Sequence, residues 1–259
     1  MQVQGYGVLL GVGLLGGAAY AIARARRMKL HAEHTADVVF WSIVLGLLSA
    51  RLAHVLVSFR AYEALCRTRG DCVAVLRFWD GGLVFYGGAI GATATLLVLC
   101  RHYRLPTGAL ADAFTPPIAL GHAVGRLGCY WVGCCYGKPV TGAWPGVRFG
   151  PDSVAYHELV SEPGQMWTAP LHATQLYEVG AELLIFGLLL RHEKHRGPTG
   201  RLLPIYGLYY GLARFVIEFF RGDSNRGLFF ALSVSQWLAI ATVSAAGFWL
   251  YRATAQKAA

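Results

Sequence analysis

The chain has 259 residues, of which 55% are hydrophobic and 14% are charged, with a net charge of +9 and a mean hydropathy of +0.44. So little charge excludes an ordinary soluble domain of this size, which would not stay in solution. The composition predicts an all-α polytopic membrane protein.

Apolar runs long enough to cross a hydrocarbon core follow one another along the chain. There are seven, over residues 6–23, 38–58, 83–100, 107–124, 174–190, 202–220 and 229–251. They predict about seven transmembrane helices in a single transmembrane domain over residues 1–259. Between the fourth and fifth runs, the loop 138–173 is long enough to form a small extracytoplasmic cap.

The positions of basic residues predict the orientation, because positively charged loops stay in the cytoplasm. The segments 24–29, 101–104 and 191–201 and the tail from Arg252 all fall on one side of a seven-span chain. We therefore expect a cytoplasmic C-terminus and an extracytoplasmic N-terminus, with outer loops over residues 59–82, 125–173 and 221–228. No charged residue precedes Arg24, whereas a cleaved signal peptide carries its positive charge before the apolar core. The first run is thus expected to be a retained span.

Cysteines divide between the two sides of this topology. Cys66 and Cys72 end the short outer loop CRTRGDC, where an oxidising compartment favours a disulfide. Cys100 ends the third run on the cytoplasmic side, so we expect it to stay reduced.

Three further cysteines lie in GRLGCYWVGCCYG: Cys129, Cys134 and Cys135. With His122 nearby they could in principle hold zinc, but the spacing matches no known finger or ribbon, and adjacent cysteines rarely aim at one ion. We therefore expect no metal. A disulfide from Cys129 to Cys134 or Cys135 is favoured, and a reactive redox pair is the alternative.

Ionisable residues inside apolar runs are costly and tend to mark a polar cavity or a site. Arg51 lies in the second run, and Arg214, Glu218 and Arg221 share one face of the sixth at helical spacing. An internal Arg214–Glu218 salt bridge without further function is the alternative interpretation.

A second polar set opens the fifth run: His172, Gln175, Tyr177, Glu178 and Glu182. Together with Arg126, these side chains are expected to line a cavity open to the outer leaflet. Arginines gathered in a low-dielectric cleft predict an anionic ligand, and phosphate suits their forked donors best.

Glycines recur beside these polar groups, at residues 81–92, which include Gly87 and Gly88, and at residues 121–137, which end at Gly137. They permit broken helices that line a cavity, although close packing of helices is the alternative. Tyr86 and Tyr136 are expected to supply hydroxyl groups at the same level.

Read in chain order, the motifs resemble those of the prolipoprotein diacylglyceryl transferase family of bacterial inner-membrane enzymes. The segments that carry the resemblance are SARLAHVL, GGLVFYGGAIG, DAFTPPIALGHAVGRLGCYWVGCCYGKP, LHATQLYE, YGLYYGLARFVIEFFR and LSVSQWLAI. It implies a multi-pass enzyme that moves a diacylglyceryl group from phosphatidylglycerol to the lipobox cysteine of a pre-prolipoprotein and releases glycerol phosphate. Membrane lipid surrounds such an enzyme, and we expect neither a cofactor nor a nucleic-acid partner.

The resemblance assigns roles to individual residues. Arg126 matches the arginine of the family motif G-R-x-G-N-F, and Arg214 matches the arginine of the sixth run. Both are expected to be catalytic and to hold the phosphate ester. The other expected catalytic residues are Tyr86, Glu178 and His172. The other expected substrate-binding residues are Glu218, Arg221, Gln175, Tyr177, Gly87, Gly88 and Gly137.

The chain departs from the family pattern at four positions. Tyr86 stands where the family usually has histidine, Cys129 replaces asparagine, Cys134 replaces glutamate and Tyr136 replaces tryptophan. A tyrosine is a poor base at neutral pH. We therefore expect another group to take the proton of the thiol. Glu178 and His172 are the candidates, because Glu218 is expected to be committed to Arg214.

The departures leave alternative functions open. One is a paralogue that moves a related group between a phospholipid and another acceptor. A membrane thiol–disulfide enzyme is the second. The third, a transporter or lipid-binding protein, lacks the paired repeats that many transporters show.

Overall fold

The computed structural model describes residues 2–77, 81–142, 144–160, 162, 164–194, 197–223 and 227–258. The gaps remove residues 78–80 from the first outer loop, residues 195 and 196 from the third basic segment, residues 143, 161 and 163 from the expected cap, and residues 224–226 from the last outer loop. These parts of the predictions lie outside the described residues.

The described residues form nine α-helices, and seven of them lie over the seven apolar runs. They are α1 (Gln2–Arg27), α2 (Ala32–Val57), α3 (Phe59–Arg69), α4 (Phe85–His102), α5 (Thr107–Val132), α6 (Val154–Leu159), α7 (Thr174–Glu193), α8 (Leu202–Ile217) and α9 (Val234–Ala258). Short 3-10 turns cover Cys72–Leu76 and Glu218–Phe220. By length and composition, Gly7–Arg27 and Ala32–Val57 are long and apolar enough to cross a membrane.

The boundary of the fourth run was predicted wrongly. Helix α5 continues through Val132 instead of ending near residue 124, although it contains Pro116 and Pro117. It ends only at Gly133, whose φ of 71° is the left-handed conformation that commonly closes a helix. Arg126 and Cys129 therefore lie on a helix and not in an outer loop.

The seventh run also begins differently from the prediction. Strands β1 (Leu228–Phe229) and β2 (Leu232–Ser233) pair in an antiparallel hairpin before α9 starts. Phe230 and Ala231 connect them with φ values of 47° and 62°, as a two-residue hairpin turn requires. The all-α class is thus correct except for this small hairpin.

The chain divides into two compact units, Ala18–Leu110 and Met1–Gly17 with Ala111–Ala259. In the first unit, α2 and α4 pack closely where a Cβ on Gly87 would overlap Ala53 and approach the backbone oxygen of Ser49 to 2.8 Å. Helix packing therefore accounts for Gly87, and Gly88 adjoins Ala50 in the same contact. Their role in substrate binding stays a prediction.

Arg51 has a structural role in this first unit. Its buried guanidinium donates to the backbone oxygens of Ala74 and Gly81, both at 2.7 Å, and to that of Val75 at 2.9 Å. A disulfide between Cys66 and Cys72, the pair favoured by their short loop, ties α3 to the following turn. Arg51 therefore supplies hydrogen bonds to backbone oxygens that lie outside α-helices and strands.

The second unit contains the polar centre. Its apolar core joins Ala119 of α5, Ile185 and Leu189 of α7, and Leu202 and Ile205 of α8. The segment expected to form a cap builds its own small core from Phe149, Ala155 and Leu171, with Tyr136 from the preceding turn. That segment is therefore ordered around apolar contacts, and the single domain over residues 1–259 stays a prediction.

Candidate active site

Three helices of the second unit bring two arginines to one carboxylate. Glu178 of α7 forms an ion pair with Arg126 of α5 through Oε2 and with Arg214 of α8 through Oε1, the latter at 2.5 Å. The side chains of Arg126, Arg214 and Glu178 are 17%, 12% and 2% exposed. The predicted arginines thus converge, and a protein carboxylate lies between them.

The Arg214–Glu218 salt bridge is present but explains only part of the arrangement. Arg214 Nη2 lies 3.1 Å from Glu218 Oε2, and the Ser233 hydroxyl donates to Glu218 Oε1 at 2.6 Å. Because Arg214 also pairs with Glu178, it connects two buried carboxylates. Arg214 is therefore shared between α7 and its own helix end.

Sequence reasoning expected Glu182 to line the cavity, but it did not pair this carboxylate with His122. His122 Nδ1 lies 2.6 Å from Glu182 Oε1, and Arg126 Nε donates to His122 Nε2 at 3.2 Å. Tyr206 donates its hydroxyl hydrogen to the same Glu182 oxygen at 3.2 Å. The imidazole therefore lies between the paired arginine and a buried carboxylate.

Four-residue spacing was the signal that could have found this dyad. His122 and Arg126 are one turn apart on α5, and Glu178 and Glu182 are one turn apart on α7. Tyr210 also escaped prediction, although it lies one turn before Arg214. A narrow crevice adjoins this centre but has no room for a water molecule. It is lined by Glu178, Ala181, Glu182, Tyr210, Ala213, Arg214 and Ile217.

Other predicted site residues hold the segment after α5 in place. Gln175 donates to the backbone oxygen of Cys134 at 2.8 Å, and the Gly137 N–H donates to that of His172 at 2.9 Å. Gly137 also bridges to Arg221, whose guanidinium binds both Asp223 oxygens. These contacts give Gln175, Gly137 and Arg221 a structural role, while substrate binding by them stays a prediction.

His172 and Tyr177 lie among aromatic side chains. The Tyr177 hydroxyl lies 3.1 Å from His172 Nδ1 and accepts a hydrogen bond from Trp144 at 2.9 Å. The Phe220 ring packs edge-on against both. Contact of His172 and Tyr177 with the substrate stays a prediction.

The two tyrosines at altered family positions occupy different surroundings. Tyr86 is 55% exposed near the start of α4, in the unit that does not contain Arg126. Tyr136 is buried and donates to Glu158 at 2.7 Å. Burial, followed by the hydrogen bond to Glu158, raises the pKa of Tyr136 above its usual range. Tyr136 therefore serves as a neutral donor inside the cap.

The second group of cysteines differs from its prediction. Cys129, Cys134 and Cys135 are free, and their three Sγ atoms all lie within 4.8 Å of one another. The expected disulfide is absent from the structure, and the adjacent cysteines do aim at one point. The adjacent thiols converge because Cys135 has a left-handed backbone conformation, with a φ of 59°. Cys100 is also free, and it is buried.

Fold and site together define a helical membrane protein with a buried guanidinium–carboxylate centre. The chain matches the sequence profile described as prolipoprotein diacylglyceryl transferase over residues 1–252. It therefore belongs to the prolipoprotein diacylglyceryl transferase family, which confirms the resemblance seen in the motifs.

Three relatives illustrate the similarity, and each is named phosphatidylglycerol--prolipoprotein diacylglyceryl transferase. The protein of Clostridium tetani is 28% identical over 94% of this chain and 90% of its own length. That of Bordetella parapertussis is 30% identical over 98% and 92%. That of Geobacillus kaustophilus is 32% identical over 86% and 78%. The likeness thus spans nearly the whole chain and is not confined to one motif.

Proposed function

We propose that this chain transfers the diacylglyceryl group of phosphatidylglycerol to the lipobox cysteine thiol of a pre-prolipoprotein. In that reaction a carbon–oxygen bond to phosphate breaks and a carbon–sulfur bond forms. Glycerol phosphate leaves, and the thiol proton passes to a base. The convergence of Arg126 and Arg214 at one buried position is the observation that carries the proposal.

The two arginines suit the leaving group. Each guanidinium presents five N–H donors in a fixed fork, and the pairing with Glu178 uses only part of them. The remaining donors bind the phosphate diester and stabilise the charge that grows on it as the carbon–oxygen bond breaks. Burial strengthens this interaction because little water screens it.

His122 is better placed than Glu178 to accept the thiol proton. Protonation of Glu178 would remove the charge that holds Arg126 and Arg214. His122 instead has Glu182 at Nδ1, which fixes the ring, while its Nε2 faces Arg126. When Arg126 turns to the phosphate, His122 Nε2 is released from Arg126 and accepts the proton of the thiol. The His122 imidazole then takes the role of the histidine that the family usually has at residue 86.

Seven membrane spans in the inner membrane fit the same function, with the N-terminus outside and the C-terminus in the cytoplasm. Large apolar side chains point outward from several helices, including Leu48 of α2, Ile90 of α4 and Leu184 of α7, which are 60%, 71% and 65% exposed. Extensive exposed apolar surface is typical of contact with lipid or a partner, and here lipid is the natural solvent.

Transfer from phosphatidylglycerol to a lipobox peptide in detergent tests the proposal, together with rescue of a bacterium depleted of its own transferase. We expect activity in the unmodified chain. In Arg126→Lys, kcat should fall by about 10²–10³-fold, because a single ammonium group replaces the forked donors of the guanidinium. Arg191→Lys is the matched control, because Arg191 is exposed at the end of α7. A folded chain that binds the lipid but never modifies the peptide would mean another acceptor.

The base is tested by the transfer rates of histidine variants. His122→Gln is expected to lower kcat/KM by about 10²–10⁴-fold, and added imidazole should restore part of the lost rate. His172→Gln is the comparison, since His172 was one of the two candidates from sequence. An unchanged rate in His122→Gln, with the rate lost in His172→Gln, would transfer the role to His172.

A further inference from the structure

Three thiols converge at the end of α5, outside the set of groups that the transfer reaction uses. Cys129 lies in the last turn of the helix, and Cys134 and Cys135 lie in the turn that follows. Every pair of Sγ atoms in this trio lies within 4.8 Å, and all three side chains are half-buried. We call Cys129, Cys134 and Cys135 the three-thiol cluster.

The helix end itself brings two of the thiols together. The Gly133 N–H donates to the Tyr130 oxygen and the Cys134 N–H donates to the Cys129 oxygen, both at 3.1 Å. With the left-handed Gly133, this pair of bonds is a Schellman cap, which places the residue after the glycine over the last helical turn. Cys134 therefore returns to Cys129.

An unusual backbone conformation adds the third thiol. Cys135 has a φ of 59°, a left-handed conformation that is unfavourable for a residue with a Cβ. The conformation is held by Thr174, whose hydroxyl donates to the Cys135 oxygen at 2.8 Å, and by Gln175 on the Cys134 oxygen. Both of these side chains are buried. The fold thus maintains a strained backbone conformation that directs the thiols of Cys134 and Cys135 toward one point.

Positive charge lies near the cluster. The guanidinium groups of Arg221 and Arg126 interact electrostatically with Cys135. Thiolate is the form of cysteine that binds metal ions. Positive charge nearby compensates the excess negative charge of a site with three thiolates.

We propose that the three-thiol cluster binds a thiophilic d10 metal ion, Zn²⁺ or Cu⁺. Metal–sulfur bonds of about 2.3 Å place three sulfurs about 4 Å apart, within the spread seen here. Thiolate ligands select these ions over Mg²⁺ or Ca²⁺. Binding forms three metal–sulfur bonds and releases the thiol protons to solvent.

A disulfide within the cluster is the competing arrangement. The structure joins Cys66 to Cys72, whereas all members of the cluster are free. A disulfide would also leave one thiol over, while a metal ion uses all three. The metal would clamp the end of α5 three residues after Arg126 and so stabilise the position of that arginine.

Metal binding by the full chain in detergent tests the proposal. The reduced chain is dialysed against Zn²⁺, or supplied with Cu⁺ under a competing chelator, and the bound metal is measured per chain. Cd²⁺ serves as a second probe, because its thiolate complexes absorb in the ultraviolet. We expect one bound ion, and at least a 100-fold weaker affinity in each of Cys129→Ser, Cys134→Ser and Cys135→Ser. Cys100→Ser is the matched control and should bind like the unmodified chain.

Thermal unfolding distinguishes loss of the site from loss of the fold. Zn²⁺ or Cu⁺ should raise the unfolding midpoint of the unmodified chain and of Cys100→Ser, but not that of the triple serine variant. Undiminished metal binding by the triple variant would overturn the proposal. So would a reduced, folded chain that binds neither ion, or an isolated chain whose cluster is already a disulfide and stays metal-free after reduction. None of these readouts requires transferase activity, so failure here is separate from failure of the proposed function.

Discussion

At the scale of single residues, Glu178 decides the electrostatics of the site. Each of its carboxylate oxygens pairs with one arginine, at a position where the side chain is almost fully buried. A buried charge without a partner is strongly unfavourable, so Arg126 and Arg214 depend on this carboxylate. The same negative charge competes with an anionic substrate for both guanidinium groups. Glu178 therefore stabilises the fold and weakens anion binding.

Substitution of Glu178 separates these two effects. In Glu178→Gln the side chain keeps its size, but both arginines lose their shared counterion. We expect the free energy of unfolding to fall by about 3–5 kcal/mol, as for other broken buried ion pairs. Binding of inorganic phosphate should tighten at least about tenfold, which corresponds to 1.4 kcal/mol. Thermal unfolding and equilibrium dialysis with phosphate measure the two changes.

Glu162→Gln is the control for that substitution, since Glu162 lies exposed in the expected cap. It should leave both the midpoint and the phosphate affinity unchanged. Equal phosphate affinity in Glu178→Gln and the unmodified chain would contradict the view that the arginines form an anion site.

At the scale of the elements, close backbone contacts fix the segment after α5. The N–H of Gly137 bonds to the backbone of His172, and the N–H of Lys138 donates to the Phe220 oxygen at 2.8 Å. The chain therefore passes between the start of α7 and the end of α8. Only a glycine fits at residue 137, because a Cβ there would lie 2.5 Å from both the Cβ and the backbone oxygen of His172.

We expect Gly137→Ala to destabilise the protein by about 1–3 kcal/mol, the usual cost of forcing a methyl group into packed backbone. Transfer activity should fall as well, since Gly137 adjoins Arg221 and the segment leads back to Arg126. Gly180→Ala on α7 is the matched control, because no atom lies within 4 Å of its added Cβ. Equal unfolding midpoints in the two variants would show that the backbone around residue 137 accommodates a methyl group without loss of stability.

At the scale of the whole molecule, the orientation in the membrane determines which substrates reach the site. Asp152 lies exposed in the expected cap, and Ala255 lies exposed near the end of α9. We expect a membrane-impermeant maleimide to label Asp152→Cys in intact cells and Ala255→Cys only after the cells are opened. Labelling is read relative to the parent chain, which contains its own cysteines. The reverse pattern would invert the predicted topology.

The sequence by itself determined the helices and the residues worth examining. Apolar length is a local property, so all seven runs became helices. Their ends differ at Gly133, at the hairpin before α9, at the start of α2 and at the end of α9. The cost of charge in an apolar run is also readable locally, and it selected Arg214, Glu178 and Glu218, whereas Arg126 was assigned from the family motif. Family membership followed from the order of the motifs.

Only the tertiary structure decided how those residues are paired. Glu178 lies between two arginines because α5, α7 and α8 meet there, a contact that no spacing along one helix encodes. The dyad of His122 and Glu182 depends on the same meeting of helices. The cysteines converge because Cys135 adopts a left-handed conformation that Thr174 stabilises from another helix. Local patterns fix which groups are costly to bury, whereas long-range packing fixes which partner each of them finds.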